Sequence, residues 1–361
     1  MLLFTYSCRM FTLHLKDYDI VIGDFGTPLS DFLKKHRYSK IAILVDGNTK
    51  HYCLPLLLNE NSVEAEVIEI AAGELHKNIA TCQLIWQEMM QRGLDRRSLL
   101  INLGGGVIGD MGGFCAATYL RGIDFVQMPT TLLSQVDASI GGKLGVDFNF
   151  VKNSIGVFQD PKAVFVDSAF LRTLPDSEIR SGFAEVFKHA LIADASQWND
   201  LKKISTLKGV NWPALLAPSL SIKQHIVEED PREKGIRKAL NFGHTIGHAV
   251  ESYSLQTDNP LLHGEAVALG IICESWLSHR VTGLPEADLM EIAAFVRRFY
   301  SPFPLETAAF PMIFELMRKD KKNLKGNINF TLLKAAGKAI IDQYCDEALI
   351  RESLLFYQSL D

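Results

Sequence analysis

Residues 240 to 248 read LNFGHTIGH, which sets His244 and His248 four apart and therefore on one face of a helix. Two imidazoles at that spacing suit a divalent metal, as in an H-E-x-x-H site, but Thr245 rather than a glutamate follows the first histidine. The metalloprotease reading falls, leaving metal ligand, proton carrier or core histidine. Upstream, SGFAEVFKHALI places Glu185, Lys188 and His189 within one turn among apolar residues, with Glu185 and Lys188 at i and i+3. A helical salt bridge is the bland reading of that pair. Fifteen residues past His248, LLHGEAVALG opens a further helical pattern at His263. Glu185, one of the histidine pair and His263 could meet as two imidazoles and one carboxylate around a catalytic ion, with room for substrate oxygens.

Two stretches suit anionic ligands. INLGGGVIGDMGGF runs from a predicted strand into a predicted helix, where Gly104, Gly105 and Gly106 would let a pyrophosphate approach backbone N–H groups and the helix dipole. Its spacing departs from G-x-G-x-x-G, and a turn of this kind also serves packing alone. The segment 121–161 combines Arg121, Thr130, Thr131, Asp137, Lys143, Lys152 and Asn153 with repeated glycines, a mixture fitted to an anionic, hydroxyl-rich substrate or to a solvated loop.

These residues need elements to hold them. KIAILVDG (40–47), AEVIEIAAG (65–73), SLLINLGGG (98–106) and AVFVD (163–167) read as buried strands of a mostly parallel sheet, and NIATCQLIWQEMMQRGLD as a helix between two of them. Beyond about residue 175 helical periodicity dominates, with INFTLLK (328–334) as the strand-like exception. TLPDSE marks the boundary, giving domains 1–175 and 176–361: an α/β domain followed by an all-α domain. A chain of 361 residues, 47% hydrophobic and 22% charged, suits two globular cores. A net charge of -5 argues against a nucleic-acid partner. Six scattered cysteines without C-x-x-C fit a reducing cytoplasm, and the start MLLFTYSCRM lacks the parts of a signal peptide. No run reaches the roughly 18 apolar residues a membrane span requires.

GGGVIGDMGGFCAATYLRGIDFVQMPTTLLSQVDASIGGK, KNSIGVF, SGFAEVFKHA, LNFGHTIGH and LLHGEAVALG together resemble the 3-dehydroquinate synthase family, in order from about residue 40 to 335. The resemblance implies a homodimer with NAD on the Rossmann-like N-terminal domain and zinc or cobalt on the helical domain. The implied substrate is 3-deoxy-D-arabino-heptulosonate 7-phosphate: NAD oxidises a ring hydroxyl, phosphate is eliminated, the hydride returns, and the opened ring closes by an aldol step. Carried over position by position, the metal ligands fall on Glu185, His244 and His263, and His248 becomes the catalytic histidine. Substrate contacts fall on Lys143, Lys152, Asn153, Lys188, Lys223, Arg237 and Asn241, on Arg121 reaching into the partner's site, and on Lys321 or Lys322, with Lys321 preferred. NAD contacts fall on Asp46, Asn48, Glu74, Lys77, the turn Gly105, Gly106, Val107, Ile108, Gly109 and Asp110, then Thr130, Thr131, Asp137, Lys143, Lys152 and Thr173. Leu144 and Asp147 depart from the family pattern, residues 1–12 match no family block and read as an extended start, and residues after 335 match weakly.

Cyclases that turn sugar phosphates into cyclitols share this cofactor and metal, but Asp137, Gly141, Gly142, Lys143, Lys152, Asn153 and Arg237 favour the dehydroquinate branch. A metal-dependent alcohol dehydrogenase would accumulate NADH, and a non-catalytic nucleotide-binding protein would be free to lose Glu185, His244, His248 or His263.

Overall fold

The computed structural model describes residues 10–60, 63–149, 151–318 and 328–360. Two compact units are present, Met1–Pro175 with Asn211–Gln224, and Asp176–Val210 with His225–Asp361.

The first unit contains β1 (Phe11–His14), β2 (Asp19–Ile22), β3 (Ile41–Asp46), β4 (Glu66–Ile70), β5 (Leu99–Gly104), β6 (Asp124–Pro129), β7 (Lys143–Phe148), β8 (Val151–Phe158) and β9 (Ala163–Val166). Its helices are α1 (Gly26–His36), α2 (Gly47–Tyr52), α3 (Leu54–Glu60), α4 (Ile79–Gln91) and α5 (Gly106–Thr118). Seven strands form one sheet in the order β1-β2-β9-β6-β5-β3-β4, parallel throughout except for the edge pair β1 and β2. Alternate residues of each strand feed opposite faces. Leu100 joins Ile85, Met111 and Phe114 on one side, while Leu99 and Ile101 join Ile43, Val126 and Phe165 on the other. With both faces covered, the strands read as continuous apolar runs.

From β3 the chain steps outward to β4 and then returns to the far side of β3 as β5, so the strand order reverses between β3 and β5. Ligands of open parallel sheets bind at the carboxyl ends flanking such a reversal. Here those ends are Asp46 and the turn Gly104–Gly105–Gly106.

Four of the strands occupy the expected runs, whereas β6 and the separate antiparallel ribbon β7–β8 lie inside the 121–161 stretch read from sequence as a ligand-binding cluster or loop. Gln127 and Pro129 interrupt the apolar pattern of β6. The ribbon packs through Leu144 so tightly that a Cβ on Gly113 of α5 would lie 2.4 Å from Leu144 Cδ2. Residues 211–224 also differ from the sequence reading, which placed them in the helical half. Lys223 pairs with Asp137, and Gln224 donates to the His14 carbonyl at 2.7 Å, which fastens this segment to the α/β unit.

The second unit holds α6 (Asp176–Ala193) and α7 (Ala195–Leu201). Next comes α8 (Trp212–Glu229), which starts in the returning segment, followed by α9 (His244–Ser254), α10 (His263–Val281), α11 (Glu286–Phe299), α12 (Phe310–Arg318) and α13 (Glu347–Ser359). It is helical but not all-α, because β10 (Ile328–Ala335) and β11 (Lys338–Cys345) form an antiparallel hairpin. One face of α6 offers Phe183 and Phe187, four apart, to edge-to-face contacts with Phe295 and Phe299 of α11. Glu185 leaves the helix on the other side.

Three helices meet there backbone to backbone. A Cβ on Gly264 would lie 1.8 Å from the Ser181 carbonyl oxygen, and one on Gly270 would lie 2.0 Å from that of Gly243. Ser181 is one turn before Glu185, Gly264 follows His263 and Gly243 precedes His244, so these close approaches converge the three side chains. No helix among the described residues is long and apolar enough to cross a membrane.

Gly264→Ala should therefore push α10 off α6. The expected result is a loss of about 1–3 kcal/mol in urea unfolding, as for other overpacked sites, together with weaker retention of divalent metal. Wild-type stability and metal retention would contradict the close-approach account.

Candidate active site

In the second unit Glu185 is fully buried, and its Oε1 accepts no hydrogen bond. That oxygen stands 3.4 Å from His244 Nε2 and 3.9 Å from His263 Nε2. Its partner Oε2 accepts from the buried ammonium of Lys188. A dry carboxylate oxygen without a donor is costly, and a divalent cation bridging it to two imidazole nitrogens removes that cost. Two nitrogens and one oxygen suit zinc or cobalt.

The other ring nitrogens are spoken for in the way a metal site requires. His244 Nδ1 donates to the Phe242 carbonyl at 3.1 Å, and His263 Nδ1 donates to Glu251 Oε2 at 3.1 Å. Each bond turns an Nε2 lone pair toward Glu185. Helix α9 is seated by the buried carboxylate of Glu274, which accepts from Gly243 N at 2.6 Å and Ile246 N at 3.0 Å. The first turn of α10 is closed by Glu265, which accepts from Leu262 N at 3.0 Å.

His248 lies beside the pair, with ring centroids 5.0 Å from His244 and 5.6 Å from His263. Nitrogens of the three histidines all fall within 4.8 Å of one another, so geometry alone allows a three-histidine set as well. The orphaned Glu185 oxygen favours the carboxylate set, which does not include His248.

Arg237 and Asn241 belong to an arch before α9. Asp230 accepts from the backbone N–H groups of Lys234, Gly235 and Arg237, and despite the cost of burial these bonds hold its carboxyl below the usual range. Arg237 donates to the Pro231 carbonyl at 2.7 Å, and Asn241 Nδ2 donates to Glu233 Oε1 at 2.7 Å. Glu233, Glu251 and Glu274 were missed by the sequence reading. Only Glu251 carried a usable signal, one turn beyond His248 at i+3.

In the first unit the residues expected at NAD gather at the strand carboxyl ends. Asp46 caps α2, accepting from Thr49 N at 2.8 Å, with Asn48 exposed just beyond. Helix α5 starts at Gly106, so the N–H groups of Gly106, Val107 and Ile108 lack carbonyl partners within the helix and can meet a pyrophosphate, while Gly109 N bonds Gly105 O. Thr130 and Thr131 follow β6, the exposed Thr173 closes a turn after β9, and Glu74 opens a short turn before Lys77.

Lys77, 5% exposed, donates to Asp110 Oδ2 at 2.6 Å and to Asn153 Oδ1 at 2.7 Å, joining an expected substrate residue to two expected NAD residues. Burial outweighs the attraction of Lys77 and pushes the Asp110 carboxyl up to about 6. Asn153 turns at a left-handed φ of 49°, with its N–H held by Asp147 Oδ1 at 2.7 Å. The two departures from the family pattern thus have structural uses, Leu144 in the core and Asp147 at the irregularity of the β7–β8 ribbon that carries Lys152 and Asn153. Lys143 opens β7, and Lys223 donates to both Asp137 O and Oδ1. Arg121 precedes the amino end of β6, opposite the carboxyl ends of the strands, where it lines a cavity of about 250 Å³ with Asp124, Gln159, Asp160 and Lys162. Lys321 and Lys322 lie outside the described residues.

Residues 67–181 match the family described as 3-dehydroquinate synthase N-terminal, and residues 182–323 match 3-dehydroquinate synthase C-terminal. A 3-dehydroquinate synthase of Parabacteroides distasonis is 44% identical over 342 residues, 94% of this chain and 97% of the relative. This chain belongs to the 3-dehydroquinate synthase family. Another 3-dehydroquinate synthase, of Campylobacter jejuni subsp. doylei, is 40% identical, covering 84% of this chain and 88% of its own. Among solved structures, the 2-epi-5-epi-valiolone synthase of Streptomyces hygroscopicus subsp. jinggangensis with NAD+ and Zn2+ bound superposes with a TM-score of 0.85 at 26% identity, over 98% of this chain and 100% of that one. A 2-deoxy-scyllo-inosose synthase complexed with carbaglucose-6-phosphate, NAD+ and Co2+ shares the fold, with a TM-score of 0.82 at 22% identity over 96% and 99% of the two chains. Glu185, His244, His248 and His263 come together within the second unit.

Removing the orphaned oxygen should separate ligand from proton carrier. Glu185→Gln is expected to lower both bound metal, measured by elemental analysis after dialysis, and activity. His248→Ala should keep its metal and lose about a hundredfold or more in turnover, the span of a lost acid–base group. Loss of metal from the His248 variant would reverse the two histidine roles.

Proposed function

We propose that the chain converts 3-deoxy-D-arabino-heptulosonate 7-phosphate into 3-dehydroquinate and phosphate, a step of the shikimate route to aromatic amino acids. NAD would be reduced and reoxidised in each turnover, so no net redox change occurs. The observation that carries this reading is the buried, donorless Glu185 oxygen facing two oriented imidazoles in a chain 44% identical to a 3-dehydroquinate synthase over nearly its whole length.

Under this reading the first unit is the NAD-binding domain and the second the metal-binding domain. When bound, NAD accepts and returns a hydride, and the zinc or cobalt ion stabilises negative charge on neighbouring substrate oxygens. The α5 amides and Lys77 hold the dinucleotide, with Asp110 fixing the lysine. His248 carries the hydroxyl proton, directly or through water. Substrate contacts are assigned to Lys143, Lys152, Asn153 and Lys223 in the first unit and to Lys188, Arg237 and Asn241 in the second. Lys188 pairs with Glu185, which places its side-chain nitrogen beside the carboxylate that would hold the metal.

The same reading makes the protein a cytoplasmic homodimer without a nucleic-acid or membrane partner. Five described cysteines are free and buried, in keeping with a reducing compartment. Arg121 is exposed at a left-handed turn (φ 72°), and the proposal has it reach the partner's substrate.

The test is phosphate release with NAD and zinc or cobalt, comparing 3-deoxy-D-arabino-heptulosonate 7-phosphate with sedoheptulose 7-phosphate, each with and without chelator. Chelator-sensitive release from the first substrate, dehydroquinate formed and no accumulating NADH are the expected results. Cyclisation of the second substrate alone would move the chain to the cyclitol branch, and steady NADH production would make it a dehydrogenase.

A further inference from the structure

The hairpin β10–β11 falls wholly beyond the family match, which ends at residue 323, yet it is tied to the arch that carries Arg237 and Asn241. The β10–β11 register shifts between Phe330 and Leu332, so Thr331 stands opposite both Ile341 and Asp342. Asp342 is the bulged residue and sits at a left-handed φ of 56°, a conformation Asp tolerates better than most side chains. Bulges re-aim side chains beside functional sites. Here the turned carboxylate accepts both its bonds to Lys238 Nζ at 2.8 and 2.9 Å, and Oδ1 also accepts from Asn329 Nδ2 at 2.7 Å. The hairpin makes two further ties: Thr331 Oγ1 donates to the Lys238 carbonyl at 2.8 Å, and Thr245 Oγ1, next to His244, donates to the Asn329 carbonyl at 3.2 Å.

We propose that Asp342 is a positioning residue, which through Lys238 clamps the arch so that Arg237 and Asn241 meet the substrate in fixed places. This rests on the reading of Arg237 and Asn241 as substrate residues. Asp230 ties the arch from within through three backbone N–H groups, and the hairpin ties it from without. Neither tie touches a metal ligand's side chain. Loss of the clamp therefore loosens substrate binding and leaves the metal in place.

Lys238→Met removes the ion pair without altering the backbone, and Asp342→Asn keeps a residue suited to the left-handed turn and one acceptor oxygen. Each is expected to raise the substrate KM by about threefold to tenfold, with kcat within about twofold, as for a modest loss of preorganisation. Metal stoichiometry and NAD affinity should match the wild type, and the double variant should be no worse than the worse single. Arg237→Ala, run alongside, must raise KM if the arch binds substrate. A KM unchanged by both Lys238→Met and Asp342→Asn while Arg237→Ala raises it overturns the clamp. If Arg237→Ala also leaves KM unchanged, the substrate reading of the arch falls and the clamp with it.

Discussion

One oxygen of Glu185, sealed from water and offered no hydrogen-bond donor, faces the Nε2 atoms of His244 and His263. In an apolar interior such an atom is costly unless something else satisfies it. Much of the surrounding structure makes sense as support for that arrangement. Lys188 neutralises the other oxygen, Glu251 and the Phe242 carbonyl set the tautomers, and Glu274 holds the start of α9 in place. The glycine contacts of α10 with α6 and with the turn before α9 allow these three side chains, which come from three helices, to converge.

The first unit solves a different problem with backbone rather than side chains. A reversal in strand order opens a crevice at the ends of β3 and β5, and an α5 that begins on glycine offers amides to a pyrophosphate. The buried Lys77 ties Asp110 of α5 to Asn153 of β8. Its partner Asp110 is pushed up to about 6 by burial, so the pair sits near the edge of its ionised state. Raised above the unfolded value, this carboxyl favours the folded state most at low pH and loses that contribution as pH rises to about 6.

How much of this was legible in the sequence follows from what leaves a local trace. Buried parallel strands such as β3 and β5 are unbroken apolar runs, and α9, α10 and α11 repeat apolar residues at helical spacing, so the α/β unit and the helical unit both follow from pattern. Strand β6 escaped because Gln127 and Pro129 interrupt its run, and β11 because it follows β10 with little turn signal beyond Gly337. The return of 211–224 to the first unit was invisible, since it depends on Lys223 meeting Asp137 and Gln224 meeting His14, contacts between residues far apart in the chain. At the metal site the residue types announced Glu185 and the histidines, but spacing could not separate His244 from His248. Glu274 accepts from backbone N–H groups of a segment remote in sequence and Glu233 from the side chain of Asn241, and nothing in their neighbourhoods signals it.

The account stands or falls on which atoms bind the ion. The most direct measurement is anomalous diffraction at the zinc edge from crystals of the zinc-loaded protein. One peak is expected about 2.0–2.2 Å from a Glu185 carboxylate oxygen and from the Nε2 atoms of His244 and His263, with His248 outside bonding distance. A peak bound by His244, His248 and His263 with Glu185 still unligated would contradict it.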